Sequence, residues 1–239
     1  MFFNRSKDLR PYTTAVIVAA GNSERMGGID KQMAEIGGIP VIIRSVMAFE
    51  NNGNIDEIIV VCRENDIPLF MDMVKDFELL KVSKITKGGE TRQESVMLGA
   101  KLANEECQYL AIHDGARPMV TQEVINACME DAREYGAATA GVKCKDTIKL
   151  VNPEGFVEQT PDRGRLYITQ TPQIFERELY FKALEKAKEE GKCFTDDCQL
   201  VENFGHSVYL SQGDYQNIKI TTPDDLVIAQ AIAEEEEIY

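Results

Sequence analysis

Tryptophan is absent from the sequence, histidine occurs only twice, as His113 and His206, and no two cysteines stand in C-x-x-C spacing. The missing tryptophan excludes nothing about function. The other two shortages exclude a zinc site of ordinary spacing, because Cys62, Cys107, Cys128, Cys144, Cys193 and Cys198 are scattered along the chain. Four of them lie in or beside apolar runs, where cysteine serves as a small core residue, so reduced thiols and a reducing compartment are expected. No apolar run approaches the length of a membrane span, and residues 1–12 lack the apolar core of a secretory signal, which points to a cytoplasmic protein. Positive charge is scarce: 26 Lys and Arg face 40 Asp and Glu, a net charge of −14. Such a surface repels nucleic acid and anionic membranes. It leaves room for a small anion in a locally basic pocket. The signatures G-x-x-x-x-G-K-[ST] and G-x-G-x-x-G are both missing, so neither a Walker loop nor a dinucleotide turn is encoded.

What is present is a rhythm of short apolar runs and helical patterns. Residues 15–19, 57–62, 109–113 and 137–142 are short and nearly continuously apolar, as strands buried on both faces are, and 81–86 is a weaker run of the same kind. Between them, residues 41–49, 91–103 and 121–135 carry apolar positions at helical spacing, with Thr121 placed to cap the last. This alternation predicts an α/β fold: a Rossmann-like, mostly parallel sheet with helices on both faces. Residues 143–165 break the rhythm. They hold the turn Asn152-Pro153-Glu154-Gly155 between two alternating stretches and predict a protruding β-hairpin arm. Residues 168–175 return to the sheet. Helices are predicted at 176–190, 196–204 and 223–235, with strands at 207–210 and 218–221. No repeat or linker divides the chain, so one domain over residues 1–239 is expected. The acidic run 234–237 reads as a solvated helix end.

Five segments carry chemistry. Ala19-Ala20-Gly21 closes a strand and is followed by Arg25 and Lys31; small residues let the backbone approach phosphate, and the two cations add fixed charge. Gly88-Gly89-Glu90 lies between a strand and a helix that carries Ser95, giving close approach to a flat base plus an acceptor and a hydroxyl. His113-Asp114-Gly115-Ala116-Arg117 ends an apolar strand; Asp114 suits a ribose hydroxyl or a Mg²⁺ water, and Arg117 a phosphate or carboxylate. Read alone, Arg117 also suits a structural pairing with Asp114, and His113 a buried structural role. The fourth segment combines Asp146-Thr147, Asp162-Arg163 and Thr171-Pro172-Gln173, on or beside the arm. The fifth is Asn217-Ile218-Lys219.

In this order the motifs read A-A-G-x-x-x-R-M…K, G-G-x-x-R-x-x-S, H-D-x-A-R-P, D-T, D-R, T-P-Q and N-I-K. The set resembles the 2-C-methyl-D-erythritol 4-phosphate cytidylyltransferases of the non-mevalonate isoprenoid pathway, over residues 14–225. The resemblance implies transfer of CMP from CTP to 2-C-methyl-D-erythritol 4-phosphate with release of pyrophosphate, assisted by Mg²⁺ or another divalent cation held mainly by the CTP phosphates. It implies that Arg25 and Lys31 stabilise the transition state at the α-phosphate and that Lys219 and Arg163 position the acceptor. Ala19, Ala20, Gly21, Gly89, Glu90 and Ser95 match cytidine-binding positions, and Asp114 and Gly115 match ribose contacts. Arg117, Thr147 and Thr171 are the remaining substrate-binding candidates. The family pairs two subunits through the arm, with Arg163 and Thr171 reaching the partner's site, so a homodimer is expected.

The chain departs from the pattern at Asp30, where proline is common, at Glu90, where aspartate is common, and at Gly115, where alanine is common. The ribitol-5-phosphate cytidylyltransferases share most of these motifs and form the alternative reading. A glycosyltransferase on a similar core usually carries D-x-D, which this chain lacks. A non-catalytic nucleotide-binding subunit could keep the glycines and lose the cations, yet Arg25, Lys31, Arg163 and Lys219 are all present.

Overall fold

A computed structural model describes residues 10–21, 26 and 30–236. Its centre is a seven-stranded sheet. The strands, in chain order, are β1 (Thr13–Val18), β4 (Glu57–Cys62), β5 (Val82–Lys87), β6 (Tyr109–Asp114), β7 (Ala137–Lys143), β10 (Tyr167–Glu176) and β11 (Tyr209–Gln212). They lie in the order β11-β7-β10-β6-β1-β4-β5. Only β10 runs antiparallel to its neighbours, so the sheet is mostly parallel, as the sequence predicts. Two short ribbons stand apart from it: β2 (Glu35–Ile36) with β3 (Ile39–Pro40), and β8 (Leu150–Val151) with β9 (Val157–Gln159).

The central strands are apolar on both faces because both are covered. On one side Ile17, Ile58, Val60 and Ala111 pack beneath α1 (Val41–Glu50), α2 (Ile67–Asp76) and α4 (Gln122–Tyr135). On the other, Val16, Ile59, Val61, Leu110 and Ile112 pack beneath α3 (Arg92–Ala100), α5 (Arg177–Glu189) and α6 (Asp197–Phe204). Alternate residues of one strand thus feed two cores, and each fully buried Ile or Val contributes about 1.5–3 kcal/mol. A third, smaller core joins Met26, Ile36 and Val41 to Ala116, Met119 and Ile220 and to Ala229 and Ala233 of α7 (Pro223–Glu236). It gathers the beginning, middle and end of the chain beside the carboxyl ends of β1 and β6.

Some sequence expectations change here. Residues 218–221 form no strand: the segment is held at the Ile220 amide, which donates to the carbonyl of Ala116 at 2.8 Å. Helix α2 and the β2–β3 ribbon, with Gly37 and Gly38 both at positive φ in its turn, are additions the sequence did not announce. Thr121 caps α4 by accepting from the Val124 amide. Within residues 143–165, β8 and β9 pair as a short antiparallel ribbon. Its turn is closed by the Asn152 amide to the Phe156 carbonyl at 2.9 Å, and Leu150, Val151, Phe156 and Val157 are all exposed on it. All six cysteines are free thiols, four of them buried. Among the described residues no helix is long and apolar enough to cross a membrane.

Candidate active site

Strands β4 and β5 continue the sheet from one side of β1 and β6 from the other. The strand order therefore reverses between β1 and β6, where open α/β sheets bind ligands beyond their carboxyl ends. A cleft of about 370 Å³ lies there. Its walls come from Ala20 and Gly21 after β1, Gly89 and Glu90 after β5, Arg92 and Ser95 of α3, Asp114 at the end of β6, Lys31 and Gln32 before β2, and Lys219 before α7.

The β5–α3 loop is built to present backbone. Thr91 caps α3 by accepting from the Glu94 amide, Ser95 Oγ accepts from the Gly89 amide at 3.1 Å, and Glu94 accepts from the Glu90 amide at 2.8 Å. A Cβ on Gly88 would lie 2.4 Å from Cβ of Ala20, so the two loops meet only because this position is glycine. The N-terminus of α3 brings partial positive charge to the same wall. Gly115 has a similar cause: a Cβ there would stand 2.6 Å from Cδ1 of Ile42, which fills the space alanine would need.

Asp114 is the electrostatic centre. Lys219 Nζ donates to its Oδ2 at 2.6 Å and Arg92 Nε to its Oδ1 at 3.2 Å. Burial alone would raise its pKa; the charges of Arg92, Lys219 and Arg117 override that and hold the carboxyl well below the usual range. Arg92 also pairs with Asp197, whose other oxygen accepts from the Tyr180 hydroxyl at 2.6 Å. Burial pushes Asp197 the opposite way, upward, against both partners. Beneath Asp114 the roles close only one way. Its amide donates to Thr171 Oγ1, Thr171 donates to His113 Nδ1 at 3.0 Å, and His113 Nε2–H donates to the Arg117 carbonyl at 3.2 Å. His113 is fully buried and neutral, its pKa pushed down to about 3 chiefly by burial.

Lys219 is aimed by its neighbours. Asn217 donates to the Thr171 carbonyl at 2.9 Å and accepts on its own carbonyl from Arg117 at 2.7 Å, while Ile220 is tied to Ala116. Arg117 thus spends its guanidinium on backbone carbonyls and does not line the cleft, where the sequence offered it to a phosphate. Thr171, expected to reach a partner, is buried in its own chain for the reason just given. Thr147 and Arg163 are exposed and lie outside this cleft; Arg163 donates to the Lys145 carbonyl at 3.0 Å. Ala19 is buried behind the cleft wall. Arg25 lies outside the described residues. Asp30 anchors the run into Lys31 by accepting from the Gln32 amide and from Arg63, a polar restraint where proline would supply a covalent one. Arg92, the arginine of the G-G-x-x-R-x-x-S motif, joins the site, and its charge at a helix start beside two glycines is the sequence signal for it; Gln32, Asp197 and Tyr180 carry no such signal.

An open α/β sheet with a backbone-lined loop, a helix N-terminus and several cations around one carboxylate at its switch point defines a nucleotide-binding transferase site. A family model described as IspD, 2-C-methyl-D-erythritol 4-phosphate cytidylyltransferase, matches residues 13–235. A protein of that name from Caldanaerobacter subterraneus subsp. tengcongensis is 48% identical over 219 residues, which are 91% of this chain and 96% of that protein. One from Clostridium botulinum is 43% identical over 222 residues, 92% and 97% of the two chains. The crystal structure of 4-diphosphocytidyl-2C-methyl-D-erythritol synthase from Anaerococcus prevotii superposes with a TM-score of 0.83 at 31% identity, covering 94% of this chain and 99% of that one. The chain belongs to the 2-C-methyl-D-erythritol 4-phosphate cytidylyltransferase family.

Proposed function

We propose that this protein transfers CMP from CTP to 2-C-methyl-D-erythritol 4-phosphate, forming 4-diphosphocytidyl-2-C-methyl-D-erythritol and pyrophosphate. The observation that carries this reading is the convergence of Lys31, Arg92 and Lys219 with Asp114 and the Gly88–Gly89 loop in one cleft. The family membership supplies the substrates.

The acceptor's phosphate oxygen attacks the α-phosphorus in line and pyrophosphate leaves opposite. Such chemistry needs positioning and charge stabilisation more than a nucleophilic side chain. The base stacks against the β5–α3 loop, with Gly89, Glu90 and Ser95 at its edge; the ribose meets Asp114. Lys31 and Lys219, together with Arg25, offset the charge that builds on the equatorial and leaving oxygens. Among the described residues no group of three or more His, Cys, Asp or Glu gathers to hold a metal, and Asp114 already accepts from two cations. That donor set suits a divalent ion carried mainly by the triphosphate. Such an ion, when bound, supplies further neutralisation of the phosphates.

We infer a homodimer joined through the 143–165 hairpin. The exposed Leu150, Val151, Phe156 and Val157 support it, and so do Arg163 and Thr147 standing clear of their own cleft. The free thiols and the absence of a spanning helix among the described residues support a cytoplasmic enzyme. The test is pyrophosphate release with CTP and Mg²⁺, given either methylerythritol 4-phosphate or ribitol 5-phosphate. Release with the first alone is expected. Release with ribitol 5-phosphate alone would replace the acceptor, and silence with both would leave a binding protein.

A further inference from the structure

Behind the cleft a line of alternating charges runs inward from solvent to core. Lys219 and Arg92 grip Asp114 from two sides, Arg92 reaches on to Asp197 at the start of α6, and Asp197 accepts from Tyr180, which is fully buried on α5. A second tie joins the same elements: the Phe194 amide donates to Gln93 Oε1 at 2.8 Å, fixing the approach to α6 against the first turn of α3. Asp197 is 2% exposed and sits next to Cys198, Leu200 and Val201 of an apolar core. A carboxylate there has a cost that well-packed apolar side chains would avoid, so stability is a poor reason for it. Direction is a better one. With Nη1 held by Asp197, the guanidinium plane is fixed, and Nε meets Asp114 from one side only.

We propose that Tyr180 and Asp197 are positioning residues for nucleotide recognition: by clamping Arg92 from its far side they hold the Asp114 carboxylate in the orientation that accepts from a ribose hydroxyl. This rests on the assignment of the ribose to Asp114. A fixed carboxylate rejects a sugar lacking the hydroxyl it pairs with, because it is left without its donor, whereas a carboxylate free to turn discriminates less. The preference for CTP over deoxy analogues therefore reads the orientation of Asp114, and general loosening of the fold leaves it unchanged.

The experiment compares full-length wild type with Tyr180→Phe, Asp197→Asn and Asp114→Asn. Pyrophosphate release is measured at saturating acceptor with CTP, 2′-deoxy-CTP and 3′-deoxy-CTP, alongside thermal midpoints. Asp114→Asn should abolish the preference against one of the two analogues. Tyr180→Phe, which keeps the ring, should cut that same preference about threefold, and Asp197→Asn about tenfold, through KM for CTP with KM for the acceptor unchanged. If Asp197→Asn fails to fold, Tyr180→Phe decides alone. An unchanged preference in Tyr180→Phe, with Asp114→Asn having lost it, overturns the proposal while leaving the ribose assignment standing. A preference retained by Asp114→Asn removes the ribose assignment and the proposal together.

Discussion

His113 and Asp114 are neighbours with opposite demands. Burial keeps His113 neutral, with its pKa down at about 3, while surrounding cations keep Asp114 charged. An unfolded histidine takes up a proton near pH 6.5, so as pH falls below that value the unfolded chain binds more protons than the folded one and stability drops. His113 alone should remove about 2 kcal/mol between pH 7.5 and 5. Urea midpoints followed across that window should fall in the wild type and fall less in His113→Gln. At Lys31 the expectation is catalytic. Lys31→Ala should lose about 10²–10³ in kcat while KM for CTP changes only a few-fold; a variant within a few-fold of wild type in kcat would remove Lys31 from the chemistry. Asp114 was legible because it closes an apolar strand, and Lys31 and Lys219 because they belong to the ordered set of motifs. The partnership of Arg92 with Asp197 was not, since the two are 105 residues apart and only packing joins them. Thr171 was legible as a special position but not as a support, because a hydroxyl that accepts from the Asp114 amide and donates to a buried histidine leaves no trace in spacing; Arg117 does have a structural role, though its bonds run to the Asn217 and Thr169 carbonyls.

Among the elements, the β5–α3 connection is the most constrained. Gly88→Ala would drive a Cβ to 2.4 Å from Ala20 Cβ and 2.8 Å from Ser95 Oγ, and both belong to the nucleotide wall. The loop must shift, so KM for CTP should rise about tenfold with a thermal midpoint lowered by only a few degrees. Steady-state kinetics beside a melting curve would separate this from a folding defect, in which specific activity falls while KM stays. Strands β1, β4 and β6 and helices α1 and α4 were readable because their apolar positions recur at strand or helix spacing, whereas β5 beside this loop offers only Val82 and Ile85. Helix α2 escaped because it is short and only Phe70 and Met73 of its residues are buried, although Pro68 stands where a helix start favours proline. Residues 218–221 alternate like a strand, yet the segment lies beyond the sheet's end with Ala116 as its backbone partner, and alternation says nothing about whether a neighbour is present.

For the whole molecule, the alternation of β and α patterns was enough to read a mostly parallel sheet. It did not reveal that β10 enters between β6 and β7 in the opposite sense, because a strand buried on both faces looks the same in either direction. The hairpin bears on assembly. If it joins two copies so that Arg163 serves the partner's cleft, then Lys31→Ala and Arg163→Ala proteins, each inactive alone, should regain activity when mixed, because one of the two sites in a mixed dimer is whole. Absence of rescue after subunit exchange has been shown by mass spectrometry would mean each chain completes its own site.

The cleft draws its wall from Ala20 and its closing lysine from position 219. A ribosome adding about 5–20 residues per second emits the first of these about 10–40 seconds before the last. Until position 219 follows, Asp114 has the charges of Arg92 and Arg117 but not its lysine, and the small core of Met26, Ala116 and Ile220 stays open. Competence to bind the nucleotide productively thus waits for position 219, about 200 residues after the first wall of the cleft is made.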